Sequence, residues 1–76
     1  MKDLEYYMSL PYRMEIVQDK DGIFTAYYPD LRGCMTTATS IEQIVKNALD
    51  AKKCWLMACI EDNIEIPEPS EVAFAG

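Results

Sequence analysis

The segment Gly22 to Cys34, GIFTAYYPDLRGC, constrains this chain most, because in it a β-prone run breaks at a proline and closes on a glycine. Phe24, Thr25, Ala26, Tyr27 and Tyr28 have the aromatic and β-branched character of a pleated surface. Pro29 cannot donate to a ladder, so strand pairing stops there. Gly33 then supplies the freedom for a positive φ where the chain turns into its next segment. The pattern is that of a strand feeding a shaped loop.

Upstream, the tetrad Asp19, Lys20, Asp21, Gly22 is a hairpin signal, with Asp-Gly suited to a tight turn between antiparallel strands. The first strand is expected over Tyr12–Val17, where Tyr12, Met14 and Ile16 share one face and Arg13 and Glu15 the other. The second runs from about Gly22 to Tyr28. A third, over Cys34–Thr37, completes a meander with one apolar face to cover. Residues 3–9 form a short helix that Pro11 ends.

The cover follows directly. Ser40 is an N-cap candidate, and Ile41, Ile44, Val45, Ala48, Leu49, Trp55, Leu56, Cys59 and Ile60 recur at helical spacing as far as Asp62. Such a helix is about 35 Å long at 1.5 Å per residue, enough to cross a small sheet. Glu42 in its first turn suits the helix dipole, and Asn63 suits a left-handed end. Lys52 falls on the apolar stripe, where its stem is expected to snorkel toward the sheet's edge. Trp55 is expected in the core with its indole N–H partnered. Cys54, Met57 and Ala58 interrupt the opposite, polar face. The tail Ile64–Ser70 is extended around Pro67 and Pro69, and Val72–Phe74 is expected to add a short edge strand. The expected architecture is α+β, a three-stranded antiparallel meander packed on one long helix with a short final strand.

A chain of 76 residues has room for a single domain, 1–76. A domain of this size buries only about 60% of the surface of its unfolded chain, which makes a homodimer or higher oligomer an expectation. No apolar run approaches the roughly 20 residues that span a bilayer, and the start MKDLEYYMSL lacks a signal core, so a cytoplasmic chain is expected. Three cysteines without metal-ligand spacing fit reduced thiols. The formal charge of −6 opposes nucleic acid and favours a basic partner. With no histidine, the commonest general base and metal ligand is missing, so no enzyme, metal or cofactor is expected.

The order of the PDLRGC loop, the Thr-rich strand, the Ser-capped helix containing NALDAKKCWL and the exit IEIPEPS resembles that of HicB-type antitoxins over residues 12–70. The family favours a glycine and an acid before the helix cap and two glutamates and an alanine after it, where this chain has Ala38, Thr39 and then Glu42, Gln43, Ile44. Asn63 stands where a glycine is usual, and Arg32 where proline is common. The resemblance implies a β-β-β-α-β domain, like a partial ribonuclease H fold, in a type II toxin–antitoxin system. It implies that the chain binds a small basic HicA-type toxin, a ribonuclease that cleaves mRNA through a histidine, and blocks its active surface. Family members often carry a DNA-binding segment after this domain. Nothing after Ser70 resembles one, so this chain alone is not expected to bind operator DNA.

Partner binding is expected at Glu15, Asp21, Tyr27, Asp30 and Arg32, on the acidic side of the hairpin and the loop after it. Gly22, Pro29, Asp30, Leu31, Gly33, Cys34, Trp55 and Pro67 are expected to shape the fold. Asp19, Asp21 and Asp30 also admit a Mg²⁺ site, but Asp-x-Asp-Gly is better accounted for as a turn. Two other functions remain open beside the toxin inhibitor: a stand-alone HicB-like regulatory or ligand-binding module, and a carboxylate–metal enzyme. A neighbouring gene for a short, basic, histidine-containing protein separates the first two, and metal-dependent nuclease activity lost on changing Asp21 or Asp30 identifies the third.

Overall fold

A computed structural model describes residues 2–69. The order is α1 (Leu4–Met8), β1 (Glu15–Gln18), β2 (Phe24–Tyr27), β3 (Met35–Ala38) and α2 (Ile41–Glu61), with the strands in one antiparallel sheet ordered β1-β2-β3. The expected α+β meander and covering helix are present. The expected edge strand at Val72–Phe74 lies outside the described residues.

Each boundary has a local cause. The Asp19 carboxylate oxygen Oδ1 accepts from the amides of Asp21 at 2.8 Å and Ile23 at 3.0 Å, while Gly22 takes φ +85°. That is an Asx-anchored turn, with Asp19 committed to backbone. Among the described residues no group of acids, cysteines or histidines is placed to hold a metal ion. Ser40 caps α2 by accepting from the Gln43 amide at 3.2 Å. At the other end Asn63 takes φ +55°, and the amides of Ile64 and Asn63 donate to the carbonyls of Cys59 and Ile60. This is a Schellman ending with asparagine in the glycine position.

The strand expected from Tyr12 begins at Glu15, because the ladder with β2 starts at Glu15 opposite Tyr27. Phe24, Ala26 and Tyr28 point toward α2 and join Leu31, Ile44 and Ala48 in the main core. Leu31, Ile44 and Leu56 are fully buried, each contributing roughly 2 kcal/mol. A second cluster of Leu56, Cys59 and Ile66 is covered by Leu4, Tyr7 and Met8 of α1. Tyr12 hydrogen-bonds the Pro67 carbonyl and so ties the tail to the entrance of β1.

Two expectations for α2 are corrected. The helical period puts Ile41, Val45 and Leu49 on the buried stripe, but they are 53%, 40% and 45% exposed. The physical reason is that α2 packs on β2, β3 and α1 and does not reach β1. Lys52, expected to snorkel outward, is only 7% exposed, with its Nζ 5.6 Å from the centre of the Tyr28 ring. Its ammonium rests on an aromatic face, and burial lowers its pKa. On the opposite face Cys54, Met57 and Ala58 are exposed, as the pattern implied.

Candidate functional site

Because Phe24, Ala26 and Tyr28 face α2, the alternate residues of β2 point to the other side of the sheet. The register places Glu15, Tyr27 and Met35 side by side across the three strands on that outward face, with Val17, Thr25 and Thr37 in the next row. No described element covers this face, and Val17 and Met35 are 52% and 59% exposed.

The row is organised by hydrogen bonds. The Tyr27 hydroxyl donates to Glu15 Oε1 at 3.1 Å, and Arg13 Nη2 approaches Glu15 Oε2 at 2.7 Å. The carboxylate holds the Tyr27 phenol protonated by raising its pKa. The result is a polar triad, cation, anion and phenol, beside an exposed methionine.

The row leads into the Pro29–Cys34 loop. The Tyr28 amide donates to Cys34, the Leu31 amide to Tyr28 and the Cys34 amide to Leu31, which closes the loop on itself. Leu31 and Cys34 turn inward to full burial, and Gly33 takes φ +82° as its composition implies. Burial pushes the Cys34 thiol pKa up and keeps it unreactive. Trp55 donates its indole N–H to the Arg32 carbonyl at 2.9 Å, so the loop is pinned to α2. Pro29, Arg32 and Gly33 remain exposed, Asp30 is half-buried, and Tyr27, Arg32 and Met35 line a shallow open depression of about 420 Å³.

The expected partner-binding residues therefore fall into two places. Glu15 and Tyr27 touch, and Asp30 and Arg32 follow from the same end of β2. Asp21 sits in the β1–β2 turn at the other end of β2. Arg13 and Met35 belong to the row without being among the expected binding residues, although strand alternation already places Arg13 beside Glu15. Met35 needed the β2–β3 register, which depends on how many residues the loop absorbs.

Residues 12–75 match the family described as the HicB_like antitoxin of bacterial toxin-antitoxin system. The chain belongs to the HicB-like antitoxin family. No curated protein matches it. For a HicB-like antitoxin the expected role is neutralising a toxin. Among the described residues no helix is long and apolar enough to cross a membrane.

Proposed function

We propose that this HicB-like antitoxin binds a small, basic HicA-type ribonuclease and neutralises it by covering its active surface, with no chemistry of its own. The observation that carries the reading is family membership over residues 12–75 in a chain of net charge −6. An RNA-cleaving toxin has a cationic surface for phosphates, and an acidic inhibitor competes for it while encountering it rapidly. The Arg13–Glu15–Tyr27–Met35 row and the Pro29–Cys34 loop are the proposed contact. They combine an adaptable thioether, an aromatic hydroxyl and paired charges on a rigid sheet, the composition of a binding surface. The same negative charge argues that this chain alone does not bind operator DNA, and an mRNA substrate for the toxin supports a cytoplasmic location for the pair.

The test is co-expression with the product of the adjacent gene. Co-purification of a stoichiometric complex, with restored growth and halted mRNA cleavage, is the expected result. Failure to bind any such neighbour, or neutralisation that survives loss of binding, contradicts it.

A further inference from the structure

Two side chains of α2 hold the third strand and the loop before it. Asn47 donates to the Thr37 carbonyl at 3.1 Å, and Trp55 donates to the Arg32 carbonyl at 2.9 Å. Residue number rises along the helix as it falls along β3 and the loop, so the two segments lie antiparallel between these anchors. Cys34 falls between Arg32 and Thr37, and Cys54 falls between Asn47 and Trp55. The same bracket therefore holds two cysteines on facing segments.

The side on which each stands agrees with this. Asn47, Ala51 and Cys54 follow one another at spacings of four and three and share a side of α2. Asn47 meets β3 and Ala51 packs against the main core, so Cys54 stands at the seam between helix and sheet. Cys34 approaches from the opposite wall as a member of that core, only 4% exposed. Burial is the largest influence raising the Cys34 pKa, which the Lys52 ammonium opposes and Cys54 reinforces. Charges act on one another in this way only at short range.

The third cysteine is placed elsewhere. Cys59 is five residues beyond Cys54, about 140° further round the helix axis, and lies in the second cluster with Leu56 and Ile66. Access then divides the remaining pair, because Cys54 is exposed and Cys34 is buried, both as free thiols. A dissolved oxidant meets Cys54 first. Burial leaves Cys34 reactive only toward a sulfur that its neighbour on α2 brings to it.

We propose that Cys54 and Cys34 form a peroxide-responsive thiol pair, in which Cys54 is oxidised first and Cys34 resolves it to a disulfide that ties the Pro29–Cys34 loop to α2. The Cys54 thiolate attacks one oxygen of a hydroperoxide, and the O–O bond breaks. The sulfur, oxidised by two electrons, becomes a sulfenic acid, and the departing oxygen leaves as water or alcohol after taking up the proton that Cys54 released. The Cys34 sulfur then attacks the Cys54 sulfur. An S–S bond forms, the S–O bond breaks, and the leaving hydroxide takes the Cys34 proton as a second water. The nearby Lys52 ammonium favours the thiolate that this second step requires.

A disulfide needs its two Cα atoms within roughly 7 Å. The loop has room to close on the helix, because Gly33, beside Cys34, stands in open space with nothing within 4 Å of a Cβ built there. A thiol reductant reopens the bond by exchange. The pair needs no toxin to react, although the loop it ties is the one bordering the outward row.

Alkylation of the full chain tests the proposal. Reduced protein is exposed to an equimolar amount of hydrogen peroxide while folded, then unfolded and treated with iodoacetamide. Without peroxide, alkylation is expected at all three cysteines. After peroxide it is expected at Cys59 alone, with one proteolytic fragment joining Cys34 to Cys54, and dithiothreitol restores the full count. Cys54→Ser, at an exposed position that leaves the core intact, is expected to keep both of its remaining thiols through the same treatment. Alkylation at all three cysteines after peroxide overturns the proposal. So does a Cys54 disulfide between two copies, a sulfinic acid at Cys54 with Cys34 still alkylated, or loss of Cys34 in the Cys54→Ser variant at the wild-type rate.

Discussion

Trp55 and Arg32, 23 residues apart in sequence, are joined by an indole N–H donating to a backbone carbonyl at 2.9 Å. The bond fixes the Pro29–Cys34 loop to the long helix, so the same side chain packs against the core and sets the position of the proposed contact. Trp55→Phe keeps much of the packing and removes the donor. It is expected to lower unfolding free energy by about 1–2 kcal/mol in a denaturant titration, the cost of a lost hydrogen bond with its acceptor left behind. Toxin affinity should fall with it, and a variant with wild-type stability contradicts the tie.

Gly33 separates conformational strain from steric clash. Its φ is +82°, and a Cβ built there meets nothing within 4 Å. Gly33→Ala is therefore expected to cost about 1–2 kcal/mol through backbone conformation alone. Asparagine tolerates the left-handed region, so Gly33→Asn should recover a good part of that loss in the same titration. Equal losses for the two variants point to some other cause.

The features legible in the sequence are those that a few adjacent residues decide. The Asp19–Gly22 turn, the Ser40 cap and the Asn63 ending each follow from side-chain chemistry acting within about five residues. The burial of α2 was less legible. A helical period shows that Val45 and Leu49 share a side with Leu56, but only the tertiary arrangement shows that α1 covers Leu56 and leaves the others bare. Lys52 is the converse case, since its burial depends on the Tyr28 ring arriving from β2. Part of the contact row was readable from alternation in β1, while Met35 joined it through a register set by the intervening loop.

Lys52 carries a charge into the core with the face of Tyr28 as its neighbour. Burial lowers its pKa, so the charged form is disfavoured in the folded state and costs stability below that lowered pKa. Lys52→Met keeps the stem's volume without the charge and is expected to raise unfolding free energy by about 1 kcal/mol at neutral pH. Lys52→Ala, which empties the site, is expected to lower it. Destabilisation by both variants shows instead that the contact with Tyr28 outweighs desolvation.

Alkali should act in the opposite sense through the buried acids. Burial, with the Glu68 carboxylate next in effect, raises the Tyr12 pKa from 10.0 to about 12. A raised folded-state value means that the contribution is complete below pH 10 and is lost as pH climbs toward 12. Cys34, raised from 9.0 mainly by burial, starts its loss earlier. Stability is therefore expected to fall from about pH 9 upward. Tyr12→Phe should flatten the part between pH 10 and 12 while lowering neutral-pH stability through the lost bond to Pro67. An unchanged slope in that interval excludes Tyr12 as the group responsible.

The proposed toxin contact makes a graded prediction, because its acids stand at different distances from the row. Glu15 is within it, Asp30 is in the adjoining loop, and Asp21 is in the turn at the far end of β2. Screening at physiological ionic strength leaves charge effects a reach of about 8 Å. Glu15→Lys is expected to slow toxin association by about tenfold at low salt and to weaken the complex, since it also strands Arg13 and Tyr27. Asp30→Lys should slow association similarly, and Asp21→Lys should act less and lose its effect first as salt is raised. Stopped-flow association at two ionic strengths measures all three. Equal slowing by the three reversals indicates steering by net charge alone, and a dominant effect of Asp21 moves the contact to the hairpin turn.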